Sequence, residues 1–326
     1  MSNALRTTTV GSFAKPDYLQ RARNRHSAGK VTAKELDGLT RQATKEVIEV
    51  QKELGLDVFV HGEMERGDMV GYFGENLPGM RPGELVRSYG NRYYHKPVIA
   101  SEVRWDAPVT VDLWRYAQSL TDKPMKGMLT GPYTIVEWSF DEHYGSRREA
   151  VLAMARAIHH EAEALAKAGA KYIQVDEPAI HTRPGEDFDL AVEAMGVVVK
   201  GVSAEFHTHI CYGDVPKIYP GMLRLPVTQI HLAFKNANFE LLHLLEADPW
   251  DSKKELGLGV LDVHDHHVES VEEVKEGIKH ALRLVPADRL WIEPDCGLKT
   301  RTPEEVRKKL RVMVAARDEV RRDLAL

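Results

Sequence analysis

The chain contains two cysteines, and each stands at the end of a short apolar run beside other groups able to bind a metal. One lies in Glu205-Phe206-His207-Thr208-His209-Ile210-Cys211-Tyr212-Gly213, the other in Leu290-Trp291-Ile292-Glu293-Pro294-Asp295-Cys296-Gly297. His209 and Cys211 are two residues apart, so on a strand their side chains leave the same face. His207 shares that face, lies deeper and reads as a hydrogen-bonded core histidine. One imidazole with two thiols is a soft donor set that suits zinc. Three protein ligands leave a fourth position open, as in a catalytic rather than a structural site. A thiol entering that position loses its proton near neutral pH, and alkyl transfer to sulfur needs such a thiolate. The competing reading is two buried, inert thiols, since two cysteines in so long a chain make no disulfide framework.

Other chemistry-bearing residues stand at similar run ends. Glu63 and Asp176 each sit beside glycine or near proline. Surface ion pairing is the default for a carboxylate, but two of them directed at one site would hold an ammonium group. His264, in Asp262-Val263-His264, belongs to the one residue type that serves as a general acid near neutral pH without perturbation. His266 and His267 read as solvated loop residues. Trp138, after the Gly131-Pro132 turn, fits either packing or stacking on a flat ligand.

Short apolar runs alternate with amphipathic helical stretches, the βαβα pattern of a parallel sheet. Eight strands are expected: Thr7–Ser12, Asp57–Gly62, Met125–Gly131, Tyr172–Pro178, Glu205–Cys211, Gln229–Lys235, Leu256–Val263 and Leu290–Cys296. Most are almost continuously hydrophobic, as strands covered on both faces should be. Helices are expected over 33–54, 147–168 and 303–320. Thr32-x-x-Glu35, Ser270-x-x-Glu273 and Thr302-x-x-Glu305 fit the capping box, and Gly55 and Gly169 fit C-caps. Eight such units predict an α/β fold of the (β/α)8 TIM barrel class, as one domain over residues 1–326. The surplus length lies at 66–123, an insertion between strands two and three placed over the barrel mouth. It is expected to hold a short hairpin, 98–105 with 109–111, and a helix. A doubly wound open sheet is the alternative, but no Gly-x-Gly-x-x-Gly turn follows any strand. In such barrels functional residues collect at the C-terminal strand ends, where the fifth and eighth strands would bring His209, Cys211 and Cys296 across the mouth.

Composition narrows the function class. Of 326 residues, 43% are hydrophobic and 29% charged, ordinary values for a globular enzyme. A net charge of −5 with scattered basic residues gives no footprint for nucleic acid or an anionic membrane. No apolar stretch approaches the roughly 20 residues that span a bilayer. Residues 1–12 lack the apolar core of a signal peptide, so a cytoplasmic location is expected.

Several blocks together resemble a known family, the C-terminal catalytic barrel of cobalamin-independent methionine synthase. They are Thr7-Thr8-Thr9-Val10-Gly11-Ser12-Phe13, Val60-His61-Gly62-Glu63-Met64-Glu65-Arg66 and Ser88-Tyr89-Gly90-Asn91-Arg92. They continue with Leu129-Thr130-Gly131-Pro132, Trp138-Ser139-Phe140 and Gln174-Val175-Asp176-Glu177-Pro178-Ala179. His207-Thr208-His209-Ile210-Cys211-Tyr212, Asp262-Val263-His264 and Pro294-Asp295-Cys296-Gly297-Leu298-Lys299-Thr300-Arg301 complete the set. The resemblance covers nearly the whole chain. It implies zinc held by His209, Cys211 and Cys296, and homocysteine held by Ser12, Glu63 and Asp176. It implies that His264 helps the methyl group leave its donor and that Ser88, Arg92 and Trp138 lie near that donor. The chain departs from the family at two points. It is similar to the short members that lack a second barrel, so the donor is either methyltetrahydrofolate or a methylated corrinoid protein. Ala233 stands where the family carries a glutamate ligand, which leaves three protein ligands or admits His231 as a fourth. Alkyl transfer to another thiol such as coenzyme M, or a non-catalytic thiol or metal binder, are the alternatives.

Overall fold

The structure is a computed structural model that describes residues 4–88, 92–183, 185, 187–211, 213–250 and 253–326, with Ser88 and Arg92 described by backbone alone. Seven strands form one sheet in the order Arg6–Thr7, Leu290–Glu293, Glu255–Gly259, Gln229–Leu232, Glu205–Ile210, Tyr172–Asp176, Lys126–Thr130. Arg6–Thr7 with Leu290–Glu293, Leu290–Glu293 with Glu255–Gly259, Glu255–Gly259 with Gln229–Leu232, and Glu205–Ile210 with Tyr172–Asp176 pair in parallel, and each of the seven strands overlaps one of the runs expected from sequence. Lys126–Thr130, Tyr172–Asp176, Gln229–Leu232 and Leu290–Glu293 are buried at every position, which explains their largely apolar character.

The eighth expected strand, Asp57–Gly62, shows only as isolated parallel bridges, Gly62 with Ser12 and Phe59 with Met125. Asp57 and Val58 donate their N–H groups to the Thr7 carbonyl at 3.1 Å, and Lys126 donates to Phe59 at 2.8 Å. The segment therefore joins the first strand on one side and the start of the last on the other, closing a (β/α)8 barrel. It forms no regular ladder because the buried Gln51 amide accepts from Val60 N–H at 2.9 Å and donates to the Val60 carbonyl at 2.7 Å. A side chain has taken the place of a neighbouring strand.

The chain divides into two compact units. The first comprises Met1–Glu65, Leu113–Lys126 and Gln229–Leu326; the second comprises Arg66–Asp112 and Gly127–Thr228. In the first, Ala33–Leu54, Val271–Leu282 and Pro303–Asp323 begin with complete capping boxes at Thr32, Ser270 and Thr302, as expected. Gly55 ends the first of these in the left-handed region, φ 73°. Lys126 and Glu293, both fully buried, form an ion pair at 3.8 Å, and Lys309 pairs with Glu269 at 2.9 Å. Arg317 on the last helix bonds Asp57, whose carboxylate also accepts from the Thr7 N–H and hydroxyl. Among the described residues no helix is long and apolar enough to cross a membrane.

In the second unit the expected hairpin of 98–105 with 109–111 is absent. Leu85–Ser88 instead pairs antiparallel with Arg92–His95, and Val98–Ile99 lies between Met80–Arg81, antiparallel to it, and Phe140–Asp141, parallel to it. The reason is Glu161 on the helix Arg147–Ala168. Its buried carboxylate accepts from Trp105 Nε1 at 2.7 Å, Val109 N–H at 2.9 Å, and Thr110 N–H and Oγ1 at 2.7 and 2.6 Å. The N–H groups a hairpin would have used are already satisfied. Glu161→Ala leaves four donors without an acceptor. Chemical denaturation should show a loss of at least about 3 kcal/mol, and a loss below about 1 kcal/mol would remove this anchoring role.

Candidate metal centre

His209 lies in the buried strand Glu205–Ile210, and Cys211 follows that strand directly. Cys296 comes three residues after Leu290–Glu293, past Pro294 and Asp295. His209, Cys211 and Cys296 each offer one ligand atom, and these atoms lie within 4.8 Å of one another. His209 is buried, both cysteines are half-buried, and neither is in a disulfide. Two further groups have ligand atoms this close, Glu205–His207–Glu255 and the surface cluster His159–His160–Glu163. Among the described residues, only His209, Cys211 and Cys296 combine thiols with an imidazole in such a group, the soft donor set that distinguishes zinc from hard cations. His231 is not part of this group. It is fully buried, and a Cβ added to Gly257 would lie 2.8 Å from both the His231 Cβ and Glu293 Oε1. Ala233 is buried and offers no ligand atom.

In the first unit, Ser12 is buried and bridges Gly62. Gly297, the residue after Cys296, approaches so closely that an added Cβ would lie 2.1 Å from Ser12 Oγ. Leu298 N–H donates to the Ser12 carbonyl at 2.7 Å, so the turn that carries Cys296 is tied to Ser12. Glu63 is half-buried and takes a left-handed backbone, φ 56°, directly after Gly62 at φ 87°. A residue with a Cβ holds that conformation at a cost of about 1–2 kcal/mol. Lys15 Nζ donates to the Glu63 carbonyl at 3.2 Å. His264 is exposed, and its N–H donates to Asp262 Oδ1 at 2.8 Å. Its neighbours are exposed loop residues, His266 paired with Glu305 and His267 with Glu273.

In the second unit, Asp176 ends the strand Tyr172–Asp176 and is buried. Gln174, two residues earlier on the same face, donates from Nε2 to Asp176 Oδ1 at 2.7 Å. Trp138 is half-buried and caps the short helix Pro132–Glu137. The side chains of Ser88 and Arg92 lie outside the described residues.

The sequence pattern of the family described as cobalamin-independent synthase, catalytic domain, matches residues 5–319. The chain belongs to this family. A relative from Saccharolobus solfataricus named methionine synthase is 40% identical over 98% of this chain and 96% of its own length. The chain spans only 43% of a Bacillus licheniformis relative, at 42% identity, named 5-methyltetrahydropteroyltriglutamate–homocysteine methyltransferase. Among solved structures, a B12-independent methionine synthase from Shewanella sp. W3-18-1, in complex with selenomethionine, superposes with TM-score 0.87 at 26% identity. It covers 99% of this chain and 100% of its own.

Within this family member, four supporting residues escaped sequence reasoning. Gln174 could have been found from its strand-face spacing to Asp176. Lys15 follows Ser12 by three residues and carries no pattern of its own. Glu177 and Asp295 were visible only as polar positions near strand ends. Burial outweighs the hydrogen bonds they accept and pushes both carboxyls up to about 7. Burial, with Arg23 adding repulsion, pulls Lys15 down to about 8 from an ordinary 10.5. Below pH 8 the folded protein carries this buried charge at a desolvation cost. Between about 8 and 10.5 the folded state releases the proton and the unfolded state keeps it, so stability rises with pH across that window. Unfolding midpoints of wild type minus those of Lys15→Met should climb from pH 8 to 10.5; a flat difference would show that Lys15 is not shifted.

Proposed function

We propose that the protein transfers a methyl group to the thiol of homocysteine, forming methionine, at a zinc site made by His209, Cys211 and Cys296. The carrying observation is the convergence of that imidazole and those two thiols within 4.8 Å, in a chain whose near-full-length relatives are named methionine synthase. With alanine at 233 and His231 outside the group, these three residues are the protein's ligands. Zinc held by His209, Cys211 and Cys296 would supply a Lewis acid that favours the thiolate form of the acceptor near neutral pH.

The remaining steps belong to the chain's own groups. Glu63 and Asp176 supply the carboxylates that hold the amino acid's ammonium group, and Ser12 adds a hydroxyl. Gln174 keeps the Asp176 carboxylate in one orientation. Two carboxylates suit an ammonium group and disfavour the sulfonate of coenzyme M. The homocysteine sulfur uses an electron pair to form the new S–CH3 bond as the donor's bond to that methyl breaks. When the donor is methyltetrahydrofolate, the departing nitrogen keeps the bonding pair and needs a proton, which His264 provides. A methylcorrinoid leaves without one. Ser88, Arg92 and Trp138 are the residues proposed for the donor side. The tetrahydropteroyl donor in the name of the Bacillus licheniformis relative supports a folate, but the chain spans less than half of that protein.

A donor panel with homocysteine as acceptor tests the reading: methyltetrahydrofolate, its polyglutamate form and methylcobalamin. Methionine should form from at least one, and none from any would overturn it. His264→Ala should slow a folate-dependent reaction by about 10²–10⁴-fold and leave a methylcobalamin-dependent one unchanged. A second test separates binding from folding. Glu63→Gly relieves the left-handed backbone and should hold or raise stability by about 1 kcal/mol, while raising the KM for homocysteine. Unchanged KM in a folded variant would remove Glu63 from acceptor binding.

A further inference from the structure

We infer that Asp295 and Glu177 are positioning residues of the site, Asp295 for the metal donor Cys296 and Glu177 for the acceptor-binding Asp176. The inference rests on the roles proposed above for Cys296 and Asp176. Both acids are fully buried, each is adjacent in sequence to the residue it serves, and each ends among backbone N–H groups of another segment of its own unit, Asp295 at 234–236 and Glu177 in the first turn of the helix Pro132–Glu137.

Asp295 Oδ1 accepts the N–H groups of Phe234 at 3.1 Å and Lys235 at 3.0 Å, and Oδ2 accepts that of Asn236 at 2.7 Å. Its own N–H donates to the Leu261 carbonyl at 2.9 Å. The residue is thus strapped to the segments that follow Gln229–Leu232 and Glu255–Gly259. An added Cβ on Gly259 would lie 2.3 Å from Asp295 Oδ1, so the carboxylate occupies space that glycine leaves open. Cys296 comes next, and a single rotatable bond separates its backbone from Sγ. Fixing the backbone therefore fixes the thiol to one of three rotamers.

Glu177 repeats the device. Oε1 accepts the Tyr133 N–H at 3.1 Å, and Oε2 accepts the Thr134 N–H at 2.8 Å and its hydroxyl at 2.7 Å. The Asp176 carbonyl accepts the Gly131 N–H at 2.8 Å, and a Cβ on Gly131 would lie 2.1 Å from Glu177 Cδ. Glu177 directly follows the strand Tyr172–Asp176, and in extended chain adjacent residues point to opposite sides. There the anchoring acid faces the scaffold while Asp176 keeps the other direction. Every partner of both acids is a donor, so only a group that accepts at both oxygens fits. An amide of the same shape would set its NH2 against an N–H and lose at least one bond.

Asp295→Asn and Glu177→Gln keep the shape and test the assignment by a crossed result. Zinc affinity, the thiolate-to-cobalt absorption of the cobalt(II)-substituted protein, and the KM for homocysteine are measured on variants whose circular dichroism shows a wild-type fold. Asp295→Asn should weaken zinc binding roughly tenfold or more and diminish the cobalt band. Glu177→Gln should leave both unchanged and raise the KM roughly tenfold. If either variant fails to fold, Gly259→Ala and Gly131→Ala displace the same carboxylates without removing them, and the same split is expected. Wild-type zinc affinity and KM in folded variants, or both quantities changed equally in both, would overturn the inference. Failure of the underlying reading looks different, because wild type itself would then show no stoichiometric zinc or no homocysteine-dependent methyl transfer.

Discussion

Backbone N–H groups in loops and in the first turn of a helix have no regular backbone partner, and in this protein buried carboxylates accept several of them. Glu177 takes those of Tyr133 and Thr134, Asp295 takes those of Phe234, Lys235 and Asn236, and Glu161 takes those of Val109 and Thr110. An unmet buried N–H costs about 1–3 kcal/mol, so each acid satisfies several such groups at once and fixes the path of the segment that carries them. The strand ends can then present His209, Cys211, Asp176 and Cys296 from backbones that have little freedom to shift.

The arrangement has an electrostatic cost. Burial raises Glu177 and Asp295 to about 7, so part of the hydrogen-bond gain is spent on desolvating charge. Space is constrained as well, since Gly131 and Gly259 must lack a Cβ for the carboxylates to fit. Glu63 adds backbone strain to this cost. A structure selected only for stability would avoid these features; Glu177 adjoins Asp176, Asp295 adjoins Cys296 and Glu63 is itself a proposed site residue, as a preorganised site requires.

Much of the fold was legible because its signals are local. The capping boxes at Thr32, Ser270 and Thr302 involve residues three apart, and all three occur as expected. The buried strands announce themselves by largely apolar runs. Where the expectation failed, a side chain had taken the backbone groups, Gln51 from nine residues away and Glu161 from about fifty. The segment 57–62 lost its ladder to Gln51, and the hairpin expected at 98–111 lost its donors to Glu161. A side chain bonding to backbone some fifty residues away leaves no periodicity to read.

The sequence by itself singled out the proposed donor set and the chemistry it suits. His209 and Cys211 share a strand face by their spacing of two, and Cys296 stands in a matching setting at another strand end. Only the tertiary structure decided that the three ligand atoms lie within 4.8 Å, that Gly297 closes on Ser12, and that His231 stays outside the group. Residue type and local spacing are written in the chain, because the strand repeat fixes which side a residue faces. Distances between strand ends follow from how the sheet curls and from the carboxylates that bind loops far apart in sequence, and those appear only when the chain is folded.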